Sequence, residues 1–72
     1  MANGVVKFFE TEKGWGAIAS PDLPGGHDAW VHFSAIEGTG FRALEAGDRV
    51  TFEYEAVRQD SFHYRATWVR KL

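Results

Sequence analysis

A chain of 72 residues has room for one small core, and a domain of this size buries only about 60% of the surface its unfolded chain exposes. The absence of cysteine excludes disulfides, thiolate zinc sites and cysteine nucleophiles, so the fold stands on packing alone and needs no oxidising compartment. Eight Lys and Arg against ten Asp and Glu give a net charge of −2, which argues against duplex binding through a strongly positive face.

The amino terminus, Met1-Ala2-Asn3-Gly4, leads straight into strand-forming residues. It shows no charged and apolar leader, and no run reaches membrane-spanning length, so a soluble cytoplasmic protein is expected. Residues 4–10 are rich in β-formers and end at the charged turn Glu10-Thr11-Glu12-Lys13. Residues 14–20 form a second extended run, broken by Pro21 and the turn-dense residues 21–26. Residues 29–33 make a third strand, and residues 34–47, holding Gly38, Gly40 and Gly47, read as a long loop with at most one helical turn. In the fourth strand Val50, Phe52, Tyr54 and Ala56 alternate with Thr51, Glu53 and Glu55, the pattern of a half-buried strand. A fifth strand over residues 63–70 has no clean parity: Tyr64, Ala66 and Trp68 share one face, His63, Arg65, Thr67 and Val69 the other. No apolar 3.6-residue period persists, so no long helix is expected, and five short strands in a small chain favour a closed barrel without exposed edges.

Residues two apart on a strand point the same way. Lys13, Trp15 and Ala17 therefore share one face of the second strand, opposite Gly14, Gly16 and Ile18. Trp30 and His32 share a face of the third, opposite Val31. Ile18 and Val31 are the natural core residues, which turns both tryptophans outward. Of the adjacent Phe8 and Phe9, Phe8 is expected outside, because a bulge would let Val6 and Phe9 both reach the core. With Phe33 and Phe41 added, much aromatic surface faces water, and exposed apolar patches of that size mark binding sites. Lysines beside flat rings suit a ligand with π-faces and negative charge, as in unpaired nucleic acid. Trp68, Phe52 and Tyr54 are assigned to the core; Phe62 and Tyr64 fit either side.

Lys13-Gly14-Trp15-Gly16-Ala17-Ile18 resembles the first RNP motif of bacterial cold-shock proteins, Lys-Gly-Phe-Gly-Phe-Ile, and Ala29-Trp30-Val31-His32-Phe33 resembles the second, Val-Phe-Val-His-Phe. Gly4-Val5-Val6-Lys7-Phe8-Phe9 is similar to the family's opening, and Phe33-Ser34-Ala35-Ile36 with Gly40-Phe41 continues the likeness, which covers roughly residues 4–56. The resemblance implies an all-β, five-stranded antiparallel OB-fold barrel, one cold-shock domain over residues 1–72, presenting strands two and three and a long loop to its ligand. It implies nucleic-acid contacts at Lys7, Phe8, Lys13, Trp15, Trp30, His32, Phe33 and Phe41, with Asp22 as the acidic residue that accepts hydrogen bonds from base edges. Ala17 departs from the family's stacking phenylalanine, a loss worth about 1–3 kcal/mol for one base. Glu10 replaces an asparagine, Phe8 a tryptophan, and Trp15 and Trp30 replace phenylalanines. The segment at residues 58–62 lacks the family's Gly-Pro and reads as a longer loop.

Asp28, His32 and Ser34 are triad residue types, but a strand spreads them along a line where a triad must converge. His27 and His32 lie on opposite faces of a regular strand, so a metal site with His63 is not expected. The reading is a non-enzymatic protein without cofactor, metal, membrane or small-molecule substrate, acting as a monomer on single-stranded RNA or DNA. It would be an RNA chaperone or a modulator of transcription or translation. A second reading has the same aromatic face meet a partner protein.

Overall fold

The computed structural model describes residues 1–38, 43–59 and 61–72. Its strands are β1 (Ala2–Glu10), β2 (Trp15–Ala19), β3 (Ala29–His32), β4 (Arg49–Gln59) and β5 (Phe62–Lys71). They close into a barrel in the order β1-β2-β3-β5-β4. All pairings are antiparallel except one. β3 and β5 run parallel where Ala29 meets Tyr64 and Trp30 meets Arg65, and this seam completes the closure. The helical residues described are two 3₁₀ turns, Pro24–Gly26 and Phe33–Ala35. No helix among the described residues is long and apolar enough to cross a membrane.

A bulge sorts the two phenylalanines of β1. The register with β2 slips between Val6 and Phe8, so Lys7 is the extra residue. Val6 is buried and Phe9 packs against the core, while Phe8 stays on the surface, 37% exposed. Opposite Phe9, Gly16 lets β2 press against β1. A Cβ there would overlap the Phe8 carbonyl oxygen and come within 2.8 Å of Phe9 Cα, so no larger residue fits.

A second bulge explains the unclean parity of β5. Glu53 pairs with Trp68 but Tyr54 with Ala66, which leaves Thr67 unpaired in the ladder. Ala66 and Val69 both reach the core, a spacing of three that a regular strand forbids. The slip overturns two core assignments. Phe52 is fully buried, but Trp68 is half-buried outside the core, with the Arg70 guanidinium 5.6 Å from its ring centroid. Tyr54 lies in the surface, 38% exposed, because beyond the bulge β4 leaves the barrel wall. Val50, Thr51 and Phe52 are all buried, Thr51 Oγ1 donating to the Ala2 carbonyl at 3.2 Å. Glu53, Tyr54, Glu55 and Ala56 are all exposed, so the expected alternation is absent from this strand. Within the segment expected as a longer loop, residues 58–62, Gln59 pairs with Phe62 in the β4–β5 ladder after a register shift beyond Ala56.

Connecting segments supply part of the core. Leu23, Ile36 and Leu44 are buried although none lies in a strand. Ile36 forms a parallel bridge with Val69, and the Glu37 N–H donates to the Val69 carbonyl at 2.7 Å. Burying side chains of this size contributes about 1.5–3 kcal/mol each, a real share for so small a barrel.

Asp48 fastens the chain where it enters β4. Its Oδ2 accepts from the Glu45 N–H at 2.9 Å and lies 3.2 Å from Lys71 Nζ. The backbone hydrogen bond, with help from Lys71, holds the Asp48 carboxyl below the usual aspartate value of 3.8. A lowered folded-state value stabilises the fold above the unfolded value, and that stabilisation is lost as pH falls through the folded one. Asp48→Asn is therefore expected to cost no more than about 1 kcal/mol at neutral pH. The difference from wild type should vanish in urea titrations run well below pH 3.8.

Candidate nucleic-acid interface

Cross-strand partners share a face of the sheet. Phe8 stands opposite Ala17, Ala17 opposite Trp30, and Trp15 opposite His32, so three strands contribute to one surface. Their neighbours Gly16, Ile18, Ala29 and Val31 point inward and are buried. On the outer side Trp30 and His32 stack at 5.8 Å with an interplanar angle of 18°. Phe33 lies against His32 at 4.5 Å, and Phe8 meets Trp15 edge-on at 5.5 Å. Phe33 is 42% exposed, in the 3₁₀ turn directly after β3.

The Lys-Gly-Trp-Gly string has a mechanical reason. Gly14 takes φ +77° at the end of the β1–β2 turn, where its N–H donates to the Glu10 carbonyl at 2.7 Å. Its own carbonyl accepts from the Phe33 N–H at 2.9 Å. The Phe33 ring sits so close that a Cβ on Gly14 would lie 2.9 Å from Phe33 Cδ1. One glycine thus turns the chain, sets Trp15 on β2 and seats Phe33. His32 is also held: Nδ1 lies 2.8 Å from Ser34 Oγ and accepts from the Ser34 N–H at 3.3 Å. With Nδ1 accepting, the neutral ring carries its hydrogen on Nε2, leaving a donor away from the Ser34 contact.

Charge at this face is mixed. Lys7, on the β1 bulge, pairs with Asp28 at 2.9 Å, and Trp30 stands two residues further along. Lys13 is exposed in the β1–β2 turn and takes part in no ion pair among the described residues. A shallow groove beside Trp30 and His32 is lined by Ser34, Ala35, Ala66 and Arg65, whose guanidinium pairs with Glu55.

The face thus assembles Lys7, Phe8, Lys13, Trp15, Trp30, His32 and Phe33 in one neighbourhood, while Phe41 lies outside the described residues. Asp22 stands apart from these rings. Its Oδ2 accepts from the Asn3 N–H at 2.9 Å, near the far end of β1, where the chain has turned after β2. It lines a different concavity with Glu53 and Glu55, whose three carboxylates repel phosphate. Two acidic residues stand beside the aromatic rings: Asp28, paired with Lys7 and two residues before Trp30, and Glu10, the β1 partner of Trp15. Ala17 is likewise not an open gap, since it is only 1% exposed between its ring-bearing neighbours.

Two contacts have no signal in the sequence. Phe62 reaches Trp15 edge-on at 6.3 Å. His27, assigned only to a turn, packs against His63 at 4.1 Å with an angle of 33°. Both depend on the β4–β5 ribbon folding back towards the β2–β3 connection, a long-range event without a local pattern. Asp28 is engaged with Lys7 and His32 with Ser34, so these residues form two separate contacts. No three His, Cys, Asp or Glu side chains converge on a metal position among the described residues.

A closed five-stranded barrel with solvent-facing rings on β1, β2 and β3 defines a class of small binding domain. Residues 2–71 match the family model described as the 'Cold-shock' DNA-binding domain. Similar proteins include cold shock protein CspD of Bacillus subtilis, 53% identical over 53 residues that cover 74% of this chain and 76% of that one. Cold shock protein 1 of Lactiplantibacillus plantarum is 50% identical over 56 residues, 78% of this chain and 80% of its own. Cold shock protein CspB of Geobacillus stearothermophilus is 51% identical over 53 residues, covering 74% and 76%. The chain belongs to the cold-shock domain family of nucleic-acid-binding proteins.

Proposed function

We propose that this cold-shock domain binds unpaired RNA or DNA by stacking bases on Phe8, Trp15, Trp30, His32, Phe33 and Phe41. The observation that carries the reading is the clustering of rings outside the core: Trp30 and His32 lie near-parallel, and Phe8 and Phe33 are over one third exposed. A stable fold has no need to leave so much aromatic area in water, whereas a base presents a flat π-face to each ring. Duplexes hide those faces. The protein therefore captures open strands and opposes hairpins, the action of an RNA chaperone or a modulator of transcription or translation. It acts as a monomeric single domain, without cofactor, and the lack of cysteine suits the cytoplasm.

Titration with a pyrimidine-rich heptanucleotide is expected to quench tryptophan fluorescence, while the same sequence annealed to its complement quenches far less. Failure of the single strand to quench would leave the face as a protein-docking surface.

Electrostatics contributes a smaller part. Lys7 is partly neutralised by Asp28, so few cations meet the backbone. Two or three phosphate contacts predict a slope of log K against log salt of about −1.4 to −2.1 for a single strand. Lys13→Gln is expected to make that slope shallower by about 0.7 and to weaken binding at low salt, as a salt series measures directly. An unchanged slope would remove Lys13 from the contact set.

A further inference from the structure

The aromatic face has one position without a ring. Ala17 lies at its centre, between Phe8 on β1 and Trp30 on β3, and at 1% exposure offers a base no surface of its own. A further ring from outside the three strands, Phe62 at the start of β5, also reaches this face. It meets Trp15 at 6.3 Å and 82°, while Phe8 meets Trp15 at 5.5 Å and 79°. Phe8 and Phe62 therefore both stand steeply inclined against the Trp15 ring. We propose that Phe62 is a base-stacking residue of this face, brought in by the β4–β5 ribbon against Trp15. This rests on the stacking reading above.

Phe62 is not explained by the core. Its ring is half-buried yet outside the hydrophobic cluster, whereas Tyr64, two residues on, packs against that cluster. The ribbon end is nonetheless well held. Gln59 pairs with Phe62, His63 packs on His27 at 4.1 Å, and Tyr64 meets Tyr54 edge-on at 5.5 Å. A ring carried on a paired strand and resting against Trp15 loses less freedom when a base stacks on it than one on a free segment would. The neighbouring charges are mixed, with Lys13 in the turn that leads into Trp15 and Glu10 opposite Trp15 on β1, so the contact would rest on stacking.

The test compares Phe62→Leu and Phe62→Tyr with wild type, using fluorescence titration with oligothymidines of six and seven nucleotides. Leucine keeps apolar bulk against Trp15 and removes the π-face; tyrosine keeps both. Melting by circular dichroism verifies that each variant is folded under the titration conditions. Phe62→Leu is expected to weaken heptamer binding about fivefold or more, and Phe62→Tyr to remain within about twofold of wild type. The advantage of seven nucleotides over six should shrink in Phe62→Leu. Wild-type binding that Phe62→Leu leaves unchanged, or tightens because the ring had covered Trp15, overturns the Phe62 proposal alone. Failure of the wild-type chain to bind either oligonucleotide brings down the stacking reading and this proposal with it.

Discussion

Phe52→Ala is expected to destabilise the barrel by about 3–5 kcal/mol, the usual cost of emptying a fully buried phenylalanine site. A chain of 72 residues has a total stability of only about 4–11 kcal/mol at typical per-residue values, so the substitution removes a large share of it and should lower the melting temperature markedly. The site cannot relax easily. Phe52 pairs with Ala2 on one side and Val69 on the other, both buried. Its ring also closes over Gly4, where a Cβ would lie 3.2 Å from Phe52 Cε1. Phe8→Ala is the control, because Phe8 is over one third exposed and its loss should cost far less. Thermal or urea unfolding of the two variants gives the comparison. Equal destabilisation would show that the two rings had been assigned to the wrong sides of the wall.

Trp30→Ala is expected to weaken single-strand binding by about 1–3 kcal/mol, or roughly 5- to 150-fold, while leaving the fold intact. Trp30 is half-buried, stacked on His32 and outside the core cluster, so its removal exposes Ala17 without emptying the barrel. It also sits across the seam from Arg65, near the groove beside His32. Titration with the pyrimidine-rich heptanucleotide, alongside a melting curve, separates the two effects. A variant that melts early yet binds as wild type when folded would make Trp30 a structural residue.

The sidedness of β1, β2 and β3 was legible because short strands have a strict period of two and each carried a clear apolar side. Even the bulge at Lys7 followed from two adjacent phenylalanines that could not both be buried. β5 was legible only as a difficulty. Its parity conflict is real, and its resolution, the extra Thr67, depends on which residues β4 presents as a partner. That partner-dependence misplaced Tyr54 and Trp68. The placement of the two aspartates was not legible for another reason. Asp22 and Asp28 both lie in the turn-rich segment after β2, and only the three-dimensional path shows that Asn3 takes the first and Lys7 the second. Phe62 and the His27 and His63 pair belong to contacts distant in sequence, where composition carries no register.

Nuclear magnetic resonance with the three tryptophans as internal reporters tests the central claim most directly. Trp15 and Trp30 stand on the proposed face, and Trp68 lies outside it beside Arg70. On adding a single-stranded heptanucleotide, the indole N–H signals of Trp15 and Trp30 should shift strongly, together with the amides of Phe8, Ala17, His32 and Phe33. The Trp68 indole should stay in place. Shifts concentrated at Trp68, or around Asp22 and Tyr54, with Trp15 and Trp30 unmoved, would contradict the account.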